Sequence, residues 1–182
     1  MASTIVRFEL SGRDVEVLAS PLATLHGVLR AQLGHTSVKD GCRQGGCGSC
    51  TVLVDGEPML SCLLPVEDVA GRRVTTLEGL TPAQGLHPIQ RAFLEANGFQ
   101  CGYCTPGMEL LASALLDHNP SPTRDEIGEA LSGNVCRCTG YTPIVDAIEA
   151  AATAGATAEA TRGPPRCTSS GSPSSAPTAW AS

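Results

Sequence analysis

Nine cysteines stand in this chain of 182 residues, and eight of them gather in two groups. Cys42, Cys47, Cys50 and Cys62 follow the spacing C-x4-C-x2-C-x11-C. Cys101 and Cys104 form C-x2-C, Cys136 and Cys138 form C-x-C, and 31 residues separate the two pairs. Thiolates clustered this way hold metal or carry out redox chemistry. A lone nucleophile needs one cysteine, and disulfides would leave an odd thiol in the first triplet. Zinc takes four thiolates from C-x2-C pairs or knuckles. The C-x4-C-x2-C triplet instead has the spacing that holds two iron ions and two sulfides. Gly41, Gly45, Gly46 and Gly48 surround the triplet. Without side chains, their amides can come close to electron-rich sulfur. By itself the second quartet suits zinc or iron; beside the first it points to a second iron–sulfur site.

These ligands need a scaffold. "TIVRFEL" (4–10) and "DVEVLA" (14–19) alternate as strands joined by "SGR", a hairpin pattern. Leu22, Leu25, Val28, Leu29 and Leu33 recur at helical spacing, which predicts a helix over 20–34 ending at Gly34. "CTVLVDGEPMLSC" (50–62) reads as a second hairpin around Asp55-Gly56, and 72–80 as one more strand. From about residue 78 the pattern turns helical, over 87–98, 105–119, 123–134 and 142–152. A helical hairpin between Cys104 and Cys136 would return the chain to its starting end. The four ligands of the second site could then meet at one end of a bundle.

Composition narrows the function. Net charge is −6, which argues against a partner bound through nucleic-acid phosphates. No run of 18 apolar residues predicts a membrane span, and Arg7 and Glu9 interrupt any export signal at the start. A cytoplasmic location is expected. Of the last 30 residues, 25 are Ala, Thr, Ser, Gly or Pro. This predicts a disordered tail over 156–182, with Cys167 ligating nothing and Trp180 exposed.

"GCRQGGCGSCTVLVDG", "LHPIQRAFLEANGFQCGYCTPGM", "NPSPT" and "GNVCRCTGYTPIVDAI" together resemble the small iron–sulfur subunit of the molybdenum hydroxylases, over roughly residues 4–152. That family includes xanthine and aldehyde oxidoreductases, carbon monoxide dehydrogenase and hydroxylases of N-heterocycles. The resemblance implies an α+β fold: a β-grasp, plant-type ferredoxin domain (1–77), then a four-helix bundle (78–155). Each domain would hold one [2Fe–2S] cluster, on Cys42, Cys47, Cys50 and Cys62 and on Cys101, Cys104, Cys136 and Cys138. The bundle cluster would lie beside molybdopterin on a large subunit, with Gln100 and Cys138 nearest the pterin. The ferredoxin-type cluster would face FAD on a medium subunit. Substrate would be oxidised at molybdenum, and electrons would pass singly through this chain.

No other residue pattern demands catalysis. His26, His35, His87 and His118 show no nucleophile or metal spacing, and Asp125-Glu126 suits the first turn of a helix. Tyr103 and Tyr141 flank cysteine loops and suit packing there. Arg43 follows Cys42, where the family often has an acid, and its charge would favour the reduced cluster. The alternatives are a free-standing ferredoxin, against which the second quartet argues, and a zinc-binding interaction module.

Overall fold

Alternating apolar and polar residues make the first hairpin. β1 (Thr4–Leu10) and β2 (Arg13–Ala19) pair antiparallel, with Phe8 opposite Val15. Ser11 and Gly12 turn the chain at φ values of 51° and 82°, the left-handed pair that matches strand twist. The computed structural model describes residues 3–20 and 22–162.

β3 (Thr51–Val54) and β4 (Glu57–Leu60) form the second hairpin, turned by Asp55 and Gly56 as their spacing predicts. β5 (Arg73–Thr75) lies between the hairpins, parallel to β1 and antiparallel to β3. The sheet order is β2-β1-β5-β3-β4.

In and around the sheet, two expectations need correction. The helix predicted over 20–34 shrinks to α1 (Leu25–Gly27) and a π-helical turn, Val28–Gln32. Thr24 caps it, and upstream the backbone is tied elsewhere: the Val66 N–H donates to the Ala23 carbonyl at 2.8 Å. Leu22 is consequently 73% exposed, off the apolar stripe. The strand predicted over 72–80 stops at Thr75, and α2 (Leu77–Leu80) is a single helical turn. A Cβ on Gly79 would meet Ser11 Oγ at 2.2 Å, so α2 seats directly on the first hairpin turn.

Four longer helices follow: α3 (Pro88–Glu95), α4 (Thr105–His118), α5 (Arg124–Leu131) and α6 (Thr142–Arg162). Capping boxes, His87 with Gln90 and Thr123 with Glu126, start α3 and α5. α6 runs ten residues past the expected end at 152, through residues placed in the tail. Its alanines favour helix strongly enough to outweigh the low-complexity pattern. Cys167 and Trp180 lie outside the described residues.

Two apolar clusters result. Phe8, Leu25, Leu29, Val52 and Val74 fill the space between sheet and α1. Phe93, Met108, Ile127, Ile144 and Ile148 fill the space among the helices. Leu53, Leu110 and Ala114 form a third contact that joins them. β3 is buried at all four positions because α4 packs against its second face. That burial explains an unbroken apolar run where alternation would otherwise be expected.

α4 also carries a charge problem. Glu109 is 6% exposed, and burial pushes its carboxyl up to about 7, with the Gln90 side chain as its polar partner. The folded chain therefore holds this proton more tightly than the unfolded chain. Its contribution to stability falls as pH rises from the ordinary carboxyl value of 4.5 to about 7. The loss is on the order of 3 kcal/mol. Glu109→Gln should flatten that slope and raise the melting temperature at about pH 8, measured by thermal unfolding at several pH values.

Candidate metal centres

The first cysteine loop runs from the π-helical turn into β3. Its backbone bends left-handed at Arg43, Gly45 and Gly48, with φ values of 57°, 80° and 68°. These bends turn amides inward: the N–H groups of Gly46 and Gln44 donate to Cys42 Sγ at 3.2 and 3.5 Å. The Gln44 amide, with the Cys47 thiol behind it, lowers the Cys42 thiol to about 7. Burial instead raises Cys50, to about 11, with Cys62 as its thiol neighbour. Cys62 arrives on the loop after β4, as the hairpin requires. A Cβ on Gly41 would come within 2.6 Å of Cys47 Sγ, so the loop closes only with glycine there.

The second quartet gathers from the α3–α4 and α5–α6 loops. Cys138 Sγ lies 3.5 Å from Cys101 Sγ, both exposed. Cys104 is buried beside Cys136, and burial pushes its thiol up to about 12. Tyr141 shapes this loop: its hydroxyl accepts the Cys136 N–H at 2.9 Å and donates to the Asn134 carbonyl at 3.1 Å. Packing alone was the expected part for Tyr141; the structure adds these two backbone bonds. Thr139 Oγ1 lies 3.2 Å from Cys136 Sγ.

The two loops touch. The Val135 N–H donates to the Cys47 carbonyl at 3.0 Å, one residue from Cys136. Tyr103 Oη donates to the Asp40 carbonyl at 2.8 Å. Asn134 is wedged against Gly48, where a Cβ would meet Asn134 Oδ1 at 2.0 Å. A Cβ on Gly107, in the first turn of α4, would meet the Gly48 carbonyl oxygen at 2.7 Å. Sequence reasoning missed Asn134 and Gly107. Their only signal was their closeness in sequence to cysteine ligands.

The donor set fits two [2Fe–2S] groups. Each quartet divides into two neighbouring thiol pairs: Cys42 with Cys47, Cys50 with Cys62, Cys101 with Cys138, Cys104 with Cys136. Two buried polar atoms without partners, Thr105 Oγ1 beside Cys104 and Asn134 Nδ2 near Cys136, stand at the second quartet. Gln100 is exposed next to Cys101. Arg43 is 74% exposed and ion-paired with Asp40. The pull expected of its charge on the reduced cluster is therefore offset by the carboxylate and screened by solvent. His87 caps α3 and His118 pairs with Glu57. His26 lies beside the first quartet: it lines one cavity with Asp40, Arg43 and Cys62, its backbone N–H donates to the Ser61 carbonyl at 3.0 Å, and its Nε2 contacts the Lys39 carbonyl.

A sheet and a set of helices, each presenting four cysteines, have the ligand types of an iron–sulfur electron carrier. The comparisons agree. Residues 4–93 match a 2Fe-2S iron-sulfur cluster binding domain, and residues 76–149 match a [2Fe-2S] binding domain. The chain is 44% identical to the nicotinate dehydrogenase small FeS subunit of Eubacterium barkeri, over 81% of this chain and 94% of the relative. It is 45% identical to the nicotine 6-hydroxylase small subunit of Paenarthrobacter nicotinovorans, over 77% of this chain and 84% of the relative. The solved quinoline 2-oxidoreductase from Pseudomonas putida 86 contains a chain that superposes with a TM-score of 0.82 at 41% identity, covering 86% of this chain and 98% of that one. The chain belongs to the small [2Fe–2S] subunits of the molybdenum hydroxylases. It is the electron-transfer part of an oxidoreductase, which sets aside both the free-standing ferredoxin and the zinc module.

The close approach at Gly107 is open to test. Gly107→Ala should cost about 2 kcal/mol by overpacking against the Gly48 carbonyl. Exchange of the Val135 amide should quicken with it. Gly128→Ala, where nothing lies within 4 Å of the added Cβ, should instead stabilise α5 by up to about 1 kcal/mol. Thermal unfolding and amide hydrogen exchange of both variants measure the contrast.

Proposed function

We propose that Cys42, Cys47, Cys50 and Cys62 hold one [2Fe–2S] cluster and Cys101, Cys104, Cys136 and Cys138 the other. When bound, such clusters take up and release one electron at a time. The thiol pairs support a division in which each iron takes two thiolates, Cys42 with Cys47 and Cys50 with Cys62 in the first centre. The observation that carries the reading is the Val135 N–H bond to the Cys47 carbonyl. It makes a short covalent and hydrogen-bonded connection between a ligand of one quartet and the neighbour of a ligand of the other.

The exposed and buried edges support an order. Cys101, Cys138 and Gln100 are open to a partner, and we assign them to the side of a large molybdopterin-binding subunit. Cys136 and Cys104 are the inner edge, toward the first quartet. The first quartet then stands toward a medium, FAD-binding subunit. The chain divides near residue 77 into a β-grasp ferredoxin-like domain and a four-helix-bundle domain. It binds and orients carriers; the substrate site belongs to a partner. Relatives named for nicotinate and nicotine, matched over most of their length, support a nitrogen-heteroaromatic substrate for the complex. Among the described residues no helix is long and apolar enough to cross a membrane, and the eight described cysteines are free. We assign the complex to the cytoplasm, where a reducing environment keeps such thiols available for iron.

The assembled complex should contain about four iron atoms per copy of this chain, with two distinct signals in EPR of the reduced protein. Cys47→Ser should remove or alter one signal, and Cys136→Ser the other. Iron and acid-labile sulfide analysis with EPR decides this; a single signal in a fully loaded sample would overturn the two-cluster reading.

A further inference from the structure

Tyr103 sits in the second cysteine loop, between Cys101 and Cys104, yet its hydroxyl reaches across to the first loop. Its acceptor is the carbonyl of Asp40, two residues before Cys42. The Asp40 carboxylate in turn grips the Arg43 guanidinium through two hydrogen bonds, one of them at 2.7 Å from Nε. Arg43 occupies a left-handed backbone conformation, φ 57°, that non-glycine residues seldom adopt without support. That conformation is what directs the next amides, Gln44 and Gly46, onto Cys42 Sγ. One continuous series of contacts therefore runs from a side chain of the second loop to the N–H···S bonds of the first.

We propose that Tyr103 is a positioning residue for the opposite cluster: its hydroxyl holds the Asp40–Arg43 clamp, and through it the amides that favour reduction of the first centre. The proposal rests on the eight cysteines holding two clusters and goes beyond that assignment. Hydrogen bonds to ligand sulfur stabilise the added negative charge of the reduced state and so raise the reduction potential. A side chain that aligns them raises that potential without touching the cluster. Tyr103 is half-exposed, so its bond to Asp40 costs little desolvation. Its worth lies in restraining a loop that has four glycines and few side-chain contacts of its own. The Val135 bond to Cys47 fixes the same loop at its other end. The first loop is thus held at both ends by the second, which couples the geometry of the two centres.

The test is redox titration of the assembled complex followed by EPR, on the parent and on Tyr103→Phe, after iron content has been measured. Full iron loading in both proteins keeps a failure of the two-cluster assignment separate from a failure of this proposal. The hydroxyl deletion should shift the reduction equilibrium of the first centre several-fold toward its oxidised form. The second centre, although Tyr103 lies in its own loop, should move much less. A purely structural role would disturb the nearer, second centre first. An unmoved first centre, or a shift confined to the second, would overturn the proposal. Should Tyr103→Phe lose iron, Arg43→Lys carries the same test from the other end. It keeps the charge but breaks the two-pronged grip on Asp40, and should move the first centre in the same direction. An unchanged potential in that variant would equally end the proposal.

Discussion

The structure depends on bringing two peptide backbones closer together than side chains allow. Gly48 in one cysteine loop, Gly107 in the first turn of α4 and Asn134 before the C-x-C pair meet at a single point. There the Val135 N–H reaches the Cys47 carbonyl. Electron transfer between two centres requires a fixed, short separation, and an ordinary interface of interlocking side chains would keep the loops further apart. Much of the remaining architecture serves this approach. α4 must lie flat on β3, which buries both faces of that strand, and Leu53, Leu110 and Ala114 supply the apolar contact that holds it there. Tyr141 pins the C-x-C loop by taking one backbone bond and giving another.

Electrostatics sets a second constraint. A cluster with four thiolates is anionic, and more so when reduced. Such a group needs donors without competing side chains, which the left-handed bends at Arg43, Gly45 and Gly48 supply in the first loop. The two quartets differ in environment. In the second, one thiol pair is exposed and the other lies deeper. That asymmetry gives the chain a natural outer and inner edge. The cationic side chain nearest the first quartet by sequence, Arg43, is neutralised locally by Asp40. Cys42 Sγ in that quartet therefore takes its donors from the backbone, at Gln44 and Gly46, while the Arg43 charge is held by Asp40. Buried Glu109 shows the same economy from the other side: a carboxyl on α4 survives in the apolar region by favouring its neutral form.

Sequence spacing pointed to iron–sulfur chemistry for the first quartet, because ligand number and interval are local properties of a chain; the second quartet, read by itself, suited zinc or iron. C-x4-C-x2-C among glycines, C-x2-C and C-x-C are legible without coordinates, as are the turns at Ser11-Gly12 and Asp55-Gly56 and the capped helices α3 and α5. Periodicity failed where tertiary contacts outbid it. The segment before Thr24 has helical spacing, but the Ala23 carbonyl accepts from the Val66 N–H instead. Leu77–Leu80 follows a strand but folds as a helical turn on Ser11. The alanine-rich stretch to Arg162 reads as tail but continues α6. Which thiols pair, which edge is exposed, and how the two loops touch were decided only by the tertiary structure. Each depends on residues far apart in sequence, such as Gly48 with Gly107, Cys47 with Val135 and Asp40 with Tyr103, whose meeting leaves no mark in local spacing. Hydrogen bonds between backbones and contacts with a missing Cβ involve atoms every residue shares, so residue type cannot announce them.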